Sequence, residues 1–172
     1  MGRAVGAARN NPFMNAIRRI FVAALVLLSS HTLLAQDLPL KFDPKRDAAA
    51  DIATATAAAK AQRKRVLVDV GGEWCPWCHI LDRFVAANAD VKKLRDDNYV
   101  WVKVNWSPQN KNEAVLSRWP KIKGYPHLFV LDGDGRLVHS QDTGDLEAGK
   151  DYDKEKFVAF LRQYRNPEPV IR

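Results

Sequence analysis

Hydrophobic positions along the chain change period several times, and each change marks an element. The first apolar stretch, Ile20 to Leu28, follows Arg3, Arg9, Arg18 and Arg19. It is short for a membrane span, which takes about 20 residues. From Asp47 to Arg65 the chain is rich in Ala, with Ile52 its only large apolar residue, so a helix with a thin apolar face is expected. Asp43-Pro44 reads as its start, an acceptor side chain followed by Pro at the first helical position. Val66-Leu67-Val68-Asp69-Val70 is a nearly continuous apolar run, the mark of a strand buried on both faces, and Gly71-Gly72 ends it. From Pro76 the period becomes helical, with Ile80, Leu81, Phe84 and Val85 on one face, and Asp90 to Asp97 adds a helical turn. Val100, Val102 and Val104 alternate through a strand from Tyr99 to Asn105.

Asn112 to Trp119 reads as a short helix stopped by Pro120. His127 to Leu131 and Arg136 to Ser140 flank Asp132-Gly133-Asp134-Gly135, a hairpin by composition. Gln141 to Asp151 reads as a polar loop. Asp153 caps a last helix carrying Phe157, Phe160, Leu161 and Tyr164, and Asn166-Pro167-Glu168-Pro169 ends the ordered chain. The order α, β, α, β, α, β, β, α predicts parallel pairing for the early strands and antiparallel pairing for the last two.

The N-terminus changes the compartment. A basic start, a short apolar core, no acid before Asp37, and Ala35 before Gln36 predict a signal peptide over 1–35. An uncleaved anchor is the alternative, because Leu33 stands where a small residue is usual. Residues 36–46 read as a linker, 47–165 as the domain and 166–172 as a tail. The first segment holds four of the 27 Lys+Arg and none of the 20 Asp+Glu, so its removal takes the net charge from +7 to +3. The remaining cations form no block, which speaks against nucleic-acid binding. Arg63-Lys64-Arg65 suits a helix end, where cations favour the negative end of the dipole.

The chemistry rests on the only two cysteines, Cys75 and Cys78, in Trp74-Cys75-Pro76-Trp77-Cys78-His79. Export would place them in an oxidising compartment. So close together, they cannot staple a long loop. At a strand-to-helix junction, the helix start lowers the pKa of Cys75, and Cys78 one turn on can resolve a mixed disulfide. The same letters spell the Cys-x-x-Cys-His haem pattern, with His79 as ligand. The preceding buried strand argues against that. So does the placement of both methionines, Met1 and Met14, in the leading segment; His127 and His139 lie in β patterns. A single cysteine pair is half a zinc site. A non-catalytic binding or chaperone domain is the third reading.

Val68 to Cys78, together with Lys103-Val104-Asn105 and Gly124-Tyr125-Pro126, resembles the thioredoxin-like proteins over roughly Val66 to Leu161. The resemblance implies an α/β fold with a central mixed β-sheet of about four to five strands flanked by helices. It also implies a redox-active disulfide between Cys75 and Cys78, with Cys75 attacking and Cys78 resolving. Asp69 matches the buried acid that moves protons for the second cysteine; its alternative is an edge or surface position. Lys103 matches the lysine near that acid, or else faces solvent. Pro126 matches the loop proline that is cis in this family, with Tyr125 offering backbone groups to an extended peptide. His127 replaces the usual Thr and either tunes the thiolate or simply starts the strand.

Trp74, Pro76 and Trp77 complete the expected substrate surface, with Trp77 the better groove candidate and Trp74 expected to pack on the domain. The 51 positions from Cys75 to Pro126 leave no room for the helical insertion of the periplasmic disulfide-forming oxidases. Pro-Trp between the cysteines is nonetheless nearer their Pro-His than the Gly-Pro of thioredoxin. The expected function is therefore an exported disulfide reductase or interchange protein. It needs no cofactor or metal, acts on protein thiols and disulfides, and exchanges electrons with an unidentified redox partner. It is expected to be a monomer, in the periplasm or otherwise exported, touching the membrane only through the signal segment.

Overall fold

The structure, a computed structural model, describes residues 38–167. The expected signal segment lies outside the described residues, as does the tail beyond 167. Helix α1 spans Ala48–Gln62, β1 Arg65–Gly71, α2 Pro76–Ala87, α3 Ala89–Asn98 and β2 Tyr99–Asn105. A single helical turn, α4, covers Glu113–Leu116; β3 is His127–Leu131 and β4 Leu137–Asp142. A 3₁₀ turn at Thr143–Leu146 leads to the two-residue strands β5 (Glu147–Ala148) and β6 (Asp151–Tyr152), then α5 (Lys154–Gln163).

One sheet runs in the order β2-β1-β3-β4. β1 pairs with β2 in parallel and with β3 antiparallel, and β4 closes the other edge antiparallel to β3. The apolar run of β1 is explained by its central place: both faces are covered. Val66, Val68 and Val70 pack with Phe129 and Leu131 against Ala48, Ala55 and Ala59 of α1. The small side chains of α1 let its backbone lie close to the sheet. Leu67, Leu128 and Val130 face the other way, toward Leu81, Phe84 and Val85 of α2 and Phe157, Phe160 and Leu161 of α5. Alternation along β1 places Asp69 on this second face with Leu67.

Four details differ from the sequence reading. Helix α1 starts at Ala48, with Asp47 as its cap accepting from the Ala49 and Ala50 amides; Asp43 instead accepts from the Lys45 amide and closes a turn. Both aspartates are N-cap residue types, and the spacing did not choose between them. The helix expected over 112–119 shrinks to one turn. The polar loop at 141–151 is structured: Thr143, Leu146 and Tyr152 are buried, and β5 pairs with β6. Phe42, within the expected linker, is only 3% exposed and belongs to the packed domain. Arg63 takes a left-handed conformation (φ 56°) that ends α1, and Asn166 ties the chain end back through bonds with Arg65 and the Arg63 carbonyl.

Candidate active site

Strand β1 ends at Gly71 and the chain turns into α2. Glycine is required at 71, because a Cβ there would collide with Cys78 Sγ and lie 3.1 Å from the Phe42 ring. The Cys75 amide donates to the Gly72 carbonyl at 2.9 Å, which sets Cys75 as the N-cap of α2. Pro76 follows at the first helical position, where no amide hydrogen is needed. Cys75 Sγ accepts the Cys78 amide at 3.2 Å, and the two sulfurs are joined in a disulfide with Cα atoms 5.3 Å apart. An amide donor and the positive end of the helix dipole both favour negative charge on Cys75.

Cys75 is almost buried, 2% exposed against 0% for Cys78. Phe42, Trp77 and Tyr125 pack around the pair. The Tyr125–Pro126 peptide is cis, and Thr143 Oγ1 donates to the Pro126 carbonyl at 2.6 Å, so the loop read as merely polar holds the proline segment.

Across the Phe42 ring from the pair lies a charged cluster. Asp69 is fully buried and stands opposite Lys103 in the β1–β2 register. Lys103 Nζ donates to Asp69 Oδ2 at 2.9 Å and to Asp82 Oδ1 at 2.8 Å, and Trp101 Nε1 donates to Asp69 Oδ2 at 3.2 Å. Asp69 Oδ1 has no partner. Burial pushes the Asp69 carboxyl above the usual aspartate range, and Lys103 only partly offsets this. Burial pulls the Lys103 ammonium down, but the Asp69 and Asp82 carboxylates outweigh it and hold the pKa above the ordinary lysine value. The result is a solvent-excluded base with a raised proton affinity.

A family model described as thioredoxin-like matches residues 47–133. The chain belongs to the thioredoxin-like family. Among curated relatives, the thiol:disulfide interchange protein DsbD of Colwellia psychrerythraea is 29% identical over 94 residues, which are 54% of this chain and 15% of that protein. The Escherichia coli protein of the same name is 27% identical over 108 residues, 62% of this chain and 18% of the relative. The matched part is thus a small fraction of those proteins' length. Of solved structures, a disulphide isomerase from Xylella fastidiosa Temecula1 superposes with a TM-score of 0.61 at 24% identity, covering 75% of this chain and 98% of that one. The oxidised C-terminal domain of Neisseria meningitidis DsbD gives 0.52 at 23%, covering 69% and 97%. These structures establish the thioredoxin-like fold.

The aromatic surface of this family member is arranged differently from the sequence expectation. Trp74 is half exposed, its Nε1 donating to the Trp106 carbonyl at 2.8 Å. Its ring meets Trp106 and Tyr125 edge-on, and those two stack at 5.0 Å. Trp77 is the one that packs inward, edge-on to Tyr152 at 5.7 Å. The difference follows from helical phase: position 77 turns toward the core behind α2, whereas 74 precedes the helix. Beyond Trp106 and Tyr125, a cavity of about 340 Å³ continues along Leu116, Trp119 and Ile122 with Lys111 and Lys121 beside it.

His79 Nε2 bonds the Glu73 carbonyl at 2.8 Å. His127 lies in β3 with its Nε2 bonded to Ser140 Oγ and its ring against Phe129, on the α1 face of the sheet. Burial pulls its imidazole below the usual value. Among the described residues no three metal-ligating side chains gather, and no helix is long and apolar enough to cross a membrane.

Sequence reasoning brought Cys75, Cys78, Asp69, Lys103, Tyr125 and Pro126 together. It missed Phe42, Glu73, Asp82, Trp106 and Thr143. Asp82 had a signal: four positions after Cys78, it lies on the same face of α2. Thr143 and Phe42 had none, because both reach the site through long-range packing.

Proposed function

We propose that this chain is an exported thiol-disulfide oxidoreductase that reduces or exchanges disulfides of protein substrates through Cys75-Pro76-Trp77-Cys78. The observation that carries this reading is the Cys75 sulfur at the start of α2, accepting the Cys78 amide. In the reduced protein the Cys75 thiolate attacks one sulfur of a substrate disulfide. A mixed disulfide forms and one substrate thiolate leaves. Cys78 then gives its proton to Asp69 and attacks Cys75 Sγ. The second substrate sulfur departs and the Cys75–Cys78 disulfide closes. Two electrons have passed to the substrate; a dithiol redox partner restores the pair.

Lys103 holds Asp69 in place, and Trp74, Pro76, Tyr125 and Pro126 receive the substrate chain, with an extended segment bonding along the proline loop; Trp77, packed on Tyr152, backs the pair from the core side. The names of the DsbD relatives support disulfide interchange as the chemistry. The leading segment, with its four arginines and apolar run, supports export to the periplasm or an equivalent compartment, the mature protein being soluble and monomeric over a domain of 47–165.

Reduction of insulin disulfides by dithiothreitol tests the reading. The protein should accelerate it, and Cys75→Ser should return the rate to the uncatalysed value. Equal rates with and without the protein would overturn it.

A further inference from the structure

The segment before α1 enters the active site. Phe42, 3% exposed, forms one apolar cluster with Cys75 and Cys78. Its amide donates to Glu73 Oε1 at 2.9 Å, two residues before Cys75 and 31 positions away from Phe42. Its ring lies over Lys103, with Nζ 4.1 Å from the ring centre. Gly71 supplies the gap that lets this ring and Cys78 Sγ approach from the same side. The strap is held further along by Asn110, whose side-chain amide donates to the Pro44 carbonyl at 3.0 Å. One ring therefore touches both ends of the proposed proton transfer: the resolving sulfur, and the ammonium that holds the accepting carboxylate.

We propose that Phe42 is a positioning residue of the dithiol chemistry, which excludes water from Cys78 and thereby leaves Asp69 as the sole proton acceptor for the resolving thiol. The inference rests on the oxidoreductase reading above. Its physical basis is access. A proton can leave Cys78 to water or to a carboxylate. With the ring in place Cys78 is 0% exposed, so water has no direct access to its sulfur. The titratable groups facing this seal are Asp69 on β1, Lys103 on β2, Asp82 on α2, Glu73 in the turn, Tyr125 before the cis proline and Tyr152 on β6. Only Asp69 is a fully buried acid. The exposed Leu40 and the neighbouring Pro39 flank an open cavity of about 310 Å³ beside Asp82 and Lys103. Loss of the ring would connect that solvent to the sulfur.

The test is a double-mutant comparison on a preformed mixed disulfide at Cys75, timing release of the substrate thiol. With Phe42 present, Asp69→Asn should slow release on the order of tenfold or more. In a Phe42→Ala background the same substitution should cost under about threefold, since water then accepts the proton. In a Cys75→Ser protein, Phe42→Ala should make Cys78 alkylate faster at neutral pH, and Phe42→Leu should restore slow alkylation. Glu73→Ala, which frees the strap but keeps the ring, should move both readouts the same way by less, and serves if Phe42→Ala fails to fold. An Asp69→Asn penalty unchanged by Phe42→Ala, or by Glu73→Ala where that variant replaces it, overturns the proposal whatever the alkylation rate. A wild-type protein that forms no mixed disulfide at all would defeat the oxidoreductase reading and this inference together; an active wild type with an unchanged penalty defeats this inference alone.

Discussion

Lys103 and Asp69 stand directly opposite each other in the parallel β1–β2 pair, and the lysine ammonium lies 2.9 Å from the buried carboxylate. The same ammonium also serves Asp82 at 2.8 Å, so two carboxylates share one cation. A neutral ion pair would hold Asp69 fully ionised. Burial makes Asp69 hold a proton more readily, and the second carboxylate, Asp82, adds to this while Lys103 opposes it. The arrangement is costly as a structural device, because burying charge seldom gains stability. It is suited to taking and returning a proton beside a thiol.

Asp69→Asn should therefore slow release of a mixed disulfide more than its formation. Attack by Cys75 needs no base beyond the helix start, whereas Cys78 must first lose its proton. Stopped-flow traces of the two steps decide it, with a decrease on the order of tenfold or more expected in the second alone. Equal, small effects on both steps would return Asp69 to a packing role.

The same carboxyl predicts a pH dependence of stability. Its pKa is raised in the folded state above the ordinary 3.8. As pH rises past that value the unfolded chain releases its proton first, so native stability falls until the folded carboxyl has ionised too, and then levels. Asp69→Asn lacks this loss. Denaturant titrations of the oxidised proteins should show the variant gaining on the wild type from pH 4 to pH 8, by on the order of 1 kcal/mol or more. A stability difference, variant minus wild type, that stays constant or falls as pH rises over that range would exclude a raised Asp69.

How much of this was readable beforehand depended on range. Strand β1 was legible because its burial on both faces writes itself as consecutive apolar residues, and β2 because alternate valines carry its pattern. Asp69 and Cys75 lie six positions apart, so their juxtaposition is local. Phe42 was not legible: it is a single aromatic residue in a short stretch with no helical or strand period, and its burial is decided by Gly71 and Glu73, some thirty positions on. Thr143 was hidden for the same reason, in a stretch whose composition says only that it is polar. The exchange of roles between Trp74 and Trp77 was hidden although α2 begins at Pro76 as expected: it turned on partners far along the chain, Tyr152 for Trp77 and Trp106 and Tyr125 for Trp74.

Trp74 should matter for protein substrates and little for small ones. Half exposed and set edge-on to Trp106 and Tyr125, it widens the apolar surface beside Cys75. Trp74→Ala is expected to raise KM for insulin several-fold, about 1 kcal/mol of lost contact, while leaving the rate with a small aromatic disulfide within about twofold. Equal losses with both substrates would mean that Trp74 supports the turn and not the substrate.

Export predicts a mature N-terminus near Gln36. N-terminal sequencing of protein recovered from an exporting host checks this. An intact Met1 in the membrane fraction would favour the anchor reading.

The two sulfurs should have separate roles, with Cys75 the nucleophile and Cys78 the resolving thiol. The reasons are structural and point the same way. Cys75 caps α2, and its sulfur accepts the Cys78 amide at 3.2 Å, so negative charge there is stabilised by a donor already in place. Cys78 sits inside the first turn with no exposed surface, packed on Phe42 and Gly71, where ionisation is opposed by burial. A thiolate is needed for attack, so the sulfur with the lower pKa reacts first. The near burial of Cys75 adds a condition: little of its sulfur is open to a reagent. Alkylation of the reduced protein should accordingly label Cys75 before Cys78, with an apparent pKa below about 8.5, and small reagents should outpace bulky ones. Cys78→Ser should accumulate stable mixed disulfides through Cys75, since nothing remains to displace the substrate. Cys75→Ser should trap few. Faster alkylation of Cys78, with Cys75→Ser the better trap, would mean that the sulfur at the helix start is not the one that attacks.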